Sequence, residues 1–143
     1  MPYRHTQRGT LTILVCLLFA AIDAAIMWRS GQWQLAAVLI LVLAVAFLFS
    51  SLTVEVSENE LCWHFGPGFW TYRLPLSEIQ TVAPVRNNWW YGFGIRIGPH
   101  FRLYNVSGLD AVELQLKSSD VRRIGTDDPQ GLAQALKLSL RVA

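Results

Sequence analysis

Two runs of apolar residues open the chain, and the pattern changes after them. Leu11 to Trp28 is mostly Leu, Ile, Val, Ala and Phe. As a helix rising ~1.5 Å per residue, that run would cover ~27 Å, close to the hydrocarbon thickness of a bilayer. A second run, Leu35 to Thr53, contains no charged side chain. Only Arg29-Ser30-Gly31-Gln32-Trp33-Gln34 separates the two. So short a connection requires antiparallel helices, a transmembrane hairpin over 11–28 and 35–53. Trp28 and Trp33 flank its turn, where indoles favour the membrane interface. Residues 1–10 read as a short polar tail, and 55–143 as a separate domain.

In that domain the period falls to two. Leu52 to Ser57, Leu61 to Phe65, Phe69 to Leu74, Ile79 to Val85, Ala111 to Lys117 and Val121 to Ile124 alternate or nearly so, as half-buried strands do. Ser57-Glu58-Asn59-Glu60, Gly66-Pro67-Gly68 and Ser118-Ser119-Asp120 mark turns between them. Asn87 to Asp110, rich in aromatics and glycine, supplies further strand-like segments. At the end, Asp128 can cap a helix that Pro129 begins, with Leu132, Ala135, Leu136, Ser139 and Leu140 on one face. The predicted architecture is a membrane α-helical hairpin followed by a mainly-β domain. About seven antiparallel strands form a partly open barrel plugged by the C-terminal helix.

Composition sharpens this division. The chain has 143 residues, 52% hydrophobic and 15% charged, and a formal net charge of +2. Between Leu11 and Val54 only Asp23 and Arg29 are charged, whereas Glu55 to Ala143 holds nine acidic and nine Lys/Arg residues. A domain so balanced lacks the basic excess that nucleic acid requires. Cys16 and Cys62 read as unpaired thiols.

A cleaved signal peptide competes for the first apolar run, but Asp23 occupies the place of a cleavage site and no Ala-x-Ala follows. Val15 before Cys16 is too bulky for a lipoprotein signal. Arg4 and Arg8 precede the hairpin against Arg29 alone in its loop. That bias places the C-terminal domain in the cytoplasm, on the inner membrane of a multi-pass protein. Asp23 would cost ~2.5–3.5 kcal/mol at mid-membrane without water or a partner. It either reaches interfacial water near Trp28 or makes an intramembrane polar contact with another chain.

Chemistry-bearing patterns are sparse. Gly92, Gly94 and Gly98 miss the dinucleotide spacing. Cys62 and His64 share a strand face, but His5 and His100 belong to no ligand motif, so neither a metal nor a cofactor is expected. No Gly-x-Ser-x-Gly elbow or certifiable carboxylate pair is present, and no enzyme is expected. Arg122 and Arg123 are adjacent, so alternation sends them to opposite faces of a strand.

Three segments carry a family likeness: Trp-Tyr-Gly-Phe-Gly-Ile-Arg (90–96), Leu-Tyr-Asn-Val-Ser-Gly-Leu-Asp-Ala-Val-Glu-Leu (103–114) and Arg-Ile-Gly-Thr-Asp-Asp-Pro (123–129). With the strand order and terminal helix, they resemble bacterial pleckstrin-homology-like domains, particularly small membrane proteins with a transmembrane hairpin ahead of such a domain. The resemblance implies a pleckstrin-like fold and no catalytic activity. Eukaryotic relatives often bind phosphoinositides at the first hairpin; here that turn, Ser57 to Glu60, is acidic and would repel phosphate.

The aromatics remain. Trp89, Trp90, Tyr91 and Phe93, with Phe69 and Trp70 in another turn, either cap the core or form a patch for the bilayer, a partner or a second copy. Arg96 and Arg102 would flank that patch. The expected role is a membrane-anchored binding or scaffolding module acting through protein–protein or self-association. The alternative is a lipid-sensing or envelope-stress regulator that reads the membrane surface through this loop.

Overall fold

The computed structural model describes residues 2–142. Its first element is a strand, β1 (Tyr3–Arg8), where the sequence suggests a tail. Helices α1 (Thr10–Ser30) and α2 (Leu35–Leu48) follow, then β2 (Ser51–Val56). β1 and β2 pair antiparallel from Tyr3↔Val56 to Arg8↔Ser51, so the helical hairpin is an insertion between two neighbouring strands. The pairing is reinforced on one face, where the Thr6 and Thr53 hydroxyls lie 2.9 Å apart. β1 carries no apolar alternation because only Gln7 among its side chains is buried.

The hairpin base is drawn tight. The Gly9 amide donates to the Ser50 carbonyl at 2.7 Å. Gly66, at φ 49°, lies beneath the end of α2, where an added Cβ would meet the Leu48 carbonyl at 2.6 Å. The helices meet along a seam of buried Ala20 and partly buried Cys16, Asp23 and Met27 of α1 against Leu35, Leu39, Val42 and Ala46 of α2. The small residues at helical spacing let the backbones approach. The remaining faces expose Leu14, Leu18, Phe19, Ile22, Leu41 and Phe47. A helix apolar all round cannot be satisfied by a single buried face. α1, with 21 residues, is long and apolar enough to cross a membrane. α2 has 14 and at ~1.5 Å per residue covers ~21 Å, short of a ~30 Å core. The second apolar run therefore does not form a full-length span. Its last residues, Ser51–Thr53, already belong to β2.

After β2 come β3 (Glu60–Phe65), β4 (Thr71–Pro75), β5 (Ile79–Arg86), β6 (Gly94–Ile97), β7 (Phe101–Asn105), β8 (Asp110–Leu116), β9 (Val121–Gly125) and α3 (Pro129–Val142). They form a four-stranded sheet, β1-β2-β3-β4, and a five-stranded sheet, β5-β8-β9-β7-β6. Nine strands among the described residues replace the expected seven, and one pairing, β7 with β9, is parallel. The sheets do not close into a barrel: β1 and β4 are the edges of the first, β5 and β6 those of the second. Leu52, Val54, Trp63 and Leu74 of the first sheet meet Tyr104, Val112, Leu114 and Ile124 of the second, with Leu132 and Leu136 of α3. Trp63 stacks on Tyr72 and meets Tyr104 edge-on, at 5.6 and 5.1 Å between centroids. The helix starts as its cap predicts, the Gly131 amide donating to Asp128 Oδ1 at 3.0 Å.

Candidate functional site

Strand registers sort the loops into two ends. Because the hairpin leaves at Arg8 and returns at Ser51, the end holding Phe65 and Thr71 also faces it. In the second sheet, Thr12 of α1 donates to the Val106 carbonyl at 2.6 Å, and Gln7 to the Ser107 carbonyl at 2.8 Å. The β7 end, and with it the start of β6, the start of β8 and the end of β5, therefore lies toward the hairpin. Three strand-to-strand loops occupy this end: Gly66 to Trp70, Asn87 to Phe93 and Val106 to Leu109. None contains an ionisable side chain except the phenol of Tyr91, whereas the connection from β9 into the C-terminal helix, which leaves from the same end, carries Asp127 and Asp128. The loops at the opposite end contain Glu58, Glu78, His100, Lys117 and Asp120.

The exposed rings follow the same division. Phe69 and Trp70 are 69% and 71% exposed, Trp89 and Trp90 77% and 63%. All four project from hairpin-side loops. Trp89 and Trp90 therefore do not cap the core, one of the two options the sequence leaves open. Tyr91 and Phe93 are half-buried. The Trp89–Tyr91 turn is held from beneath. Asn87 is buried, its amide donating to the Leu109 carbonyl at 2.6 Å, and its side-chain oxygen accepts from Arg123 at 3.2 Å. Arg123 also donates to Glu113 at 2.7 Å and lies over the Phe101 ring, against which Tyr91 packs. Such anchoring holds the neighbouring indoles out at low entropy cost.

Arg96, on β6, reaches back to this loop, donating to the Tyr91 carbonyl at 2.8 Å. Arg102 does not. It pairs in register with Ile97, on the opposite face from Leu103 and toward the far end of β7. There it stands beside Arg122, its register partner on parallel β9. Arg122 and Arg123 do diverge to opposite faces, and of the two only Arg123 finds a carboxylate among the described residues.

At the hairpin base, Leu48, Phe49, Phe65, Phe69, Trp70, Tyr72 and Ile95 line a groove of about 140 Å³. Burial raises the Tyr72 phenol pKa, the nearby Tyr104 adds to it, and the Arg102 charge opposes both. Phe69 and Trp70 are legible as turn aromatics. The contribution of Leu48, Phe49 and Ile95 is not, because the first two close an apolar run and Ile95 follows strand alternation. Asp23 faces the helix seam, with one carboxylate oxygen buried and unpartnered. Cys16 and Cys62 are free thiols. Burial, followed by a hydrogen bond with Glu60, raises the Cys62 pKa. Among the described residues, no three His, Cys, Asp or Glu side chains converge as metal ligands.

No protein-family model matches the chain, and no curated protein matches it.

Proposed function

We propose that the protein is a membrane-anchored, non-catalytic module whose β domain rests on the bilayer that holds its hairpin, and reads that surface through its aromatic loops. One observation carries this: the four exposed rings and three loops without charged side chains share the end from which the apolar hairpin emerges. Indoles are favoured at the interface, where an apolar body meets lipid and the N–H meets water. A water-facing surface of this kind would leave four large rings solvated.

The β1–β2 pairing supports a retained hairpin, since cleavage after α1 would remove a strand of the first sheet. It also supports a hairpin that enters and returns, because both its ends meet at Gly9 and Ser50. With Arg4 and Arg8 beside the entry, the domain lies on the cytoplasmic side of the inner membrane. We read the fold as pleckstrin-like on its two facing sheets and C-terminal helix, with the parallel β7–β9 pair as a departure. Scaffolding through protein–protein or self-association is the second reading. It draws on the open β4 and β6 edges and on Ile97, 74% exposed on β6.

The test uses full-length protein in vesicles whose phospholipids carry bromine at a shallow acyl position, in a Trp28→Phe/Trp33→Phe background. Bromine should quench the domain's tryptophan emission, and Trp89→Ser/Trp90→Ser should remove much of the quenched component without changing the melting temperature. Emission unaffected by bromine would overturn the membrane-reading proposal. Concentration-dependent assembly with unaffected emission would favour the scaffold.

A further inference from the structure

The opening between β4 and β6 has a chemical order along its length. Nearest the hairpin is the groove built by Leu48, Phe49, Phe65, Tyr72 and Ile95 with Phe69 and Trp70, whose polar side-chain atoms are the Tyr72 hydroxyl and the Trp70 indole nitrogen. Leu48 and Phe49 end α2, so this groove continues the apolar surface of the hairpin. Its volume, about 140 Å³, resembles that of apolar cavities that stay dry and admit a small hydrocarbon. Two residues further from the hairpin along β6, a step of ~7 Å, Ile95 is succeeded on the same face by Ile97, whose register partner is Arg102.

Face parity links the two zones. Ile95 pairs with Tyr104, which packs against Tyr72 at 4.9 Å, and Arg102 lies on that same face of β7. Arg122 is its register partner on β9. Adjacent like charges on neighbouring strands repel. Neither arginine has an ion-pair partner among the described residues, which is true also of Arg8, Arg29, Arg96 and Arg141; what sets these two apart is that they stand in register on neighbouring strands. The neighbouring carboxylate, Asp120, is engaged by His100 at 3.1 Å. The order away from the hairpin is therefore hydrocarbon first and paired cations second.

We propose that this seam holds one glycerophospholipid drawn partly out of the bilayer, an acyl chain in the groove and its phosphodiester between Arg102 and Arg122. The orientation matches a lipid in the leaflet beneath the domain, chains toward the membrane and phosphate away from it. Two guanidinium groups supply charge-assisted donors to phosphate oxygens, and the phosphate relieves their mutual repulsion. The acidic Ser57 to Glu60 turn takes no part. The proposal rests on the domain lying against the bilayer, and it adds a stoichiometric lipid to an otherwise general surface contact.

Full-length protein is reconstituted in phosphatidylcholine vesicles containing a small fraction of phosphatidylglycerol with a photoreactive diazirine near the end of one acyl chain. After irradiation, peptides covering 61–73 and 94–103 should carry cross-linked lipid, besides those of the two helices. Arg102→Gln/Arg122→Gln should lower the groove cross-links about tenfold, as expected for loss of charge-assisted contacts, while the helix cross-links stay constant. Ile95→Trp, which fills the groove, should also remove them. Cross-links confined to the helices in the unaltered protein overturn the proposal, and that result needs no variant to fold. Groove cross-links indifferent to both arginines overturn the headgroup assignment. Bromine quenching of Trp89 and Trp90 together with helix-only cross-links would leave the surface reading standing while this one fails. Loss of quenching would remove both.

Discussion

Tyr3 illustrates how one side chain can tie separated parts of this chain together. From β1 its hydroxyl donates to Asp128 Oδ2 at 3.0 Å, and His5, two residues on, bonds to Asp127, fastening β1 to the entry of α3. Burial, followed by the hydrogen bond and charge of Asp128, raises the Tyr3 pKa far above its usual value. The sign follows from the bound proton. A tyrosine in the unfolded chain ionises near ~10, whereas Tyr3 in the fold holds its proton more tightly. Its contribution is complete below pH ~10 and is lost as pH rises from there toward the folded pKa. Tyr3→Phe should destabilise the protein by ~0.5–1 kcal/mol at neutral pH. Thermal melting of both proteins in detergent should show that gap narrowing above pH ~10; a constant gap would mean that the hydroxyl is not held as described. At this scale sequence and structure diverge most. Asp128 is legible as a helix cap, but its second role depends on Tyr3, 125 positions away. Trp89 and Trp90 are legible as candidates for a surface. Their exposure depends on Asn87, Tyr91, Phe101 and Arg123 converging beneath them from three segments.

Among the elements, β1 has consequences out of proportion to its length. It supplies an outer strand of the first sheet and forms the other half of the hairpin's base. A fragment beginning at Glu55, where the change in charge density places the domain boundary, would lack β1 and most of β2. Leu52 and Val54, both core residues, would go with it. Each contributes ~1.5–3 kcal/mol by burial, a large share of the ~5–15 kcal/mol that holds a domain folded. The 55–143 fragment should therefore melt without a cooperative transition by near-ultraviolet circular dichroism, while a chain retaining 2–8 and 51–143, joined by a short Gly/Ser linker in place of the hairpin, should melt cooperatively. A cooperative 55–143 fragment would show that β1 is dispensable. Alternation reveals most of the other strands because each buries one face. β1 stays hidden because its partner lies beyond the hairpin and its own side chains are largely polar.

For the whole molecule, the decisive feature is an apolar excursion whose two ends meet. α1 extends ~31 Å, the shorter α2 returns, and the chain resumes the sheet it left. If the hairpin crosses the membrane, Gln32 in its tip and Ser118 at the far end of the β domain, both exposed, lie on opposite sides. Gln32→Cys and Ser118→Cys, each in a Cys16→Ala/Cys62→Ala background, mark the two positions. An impermeant maleimide should label them from opposite faces of oriented vesicles. Labelling of both from one face would mean that the helices lie along the interface or enter and leave the same leaflet. The sequence by itself determined what local composition and period encode: an apolar helical pair with a short polar connection, a β domain after it, and a capped amphipathic helix at the end. Only the tertiary structure decided that the pair interrupts a sheet, that two loops far apart in the chain raise their aromatics at one end, and that Arg102 and Arg122 stand side by side. Those are matters of strand register and pairing partner, which depend on contacts between distant segments rather than on the period of any one.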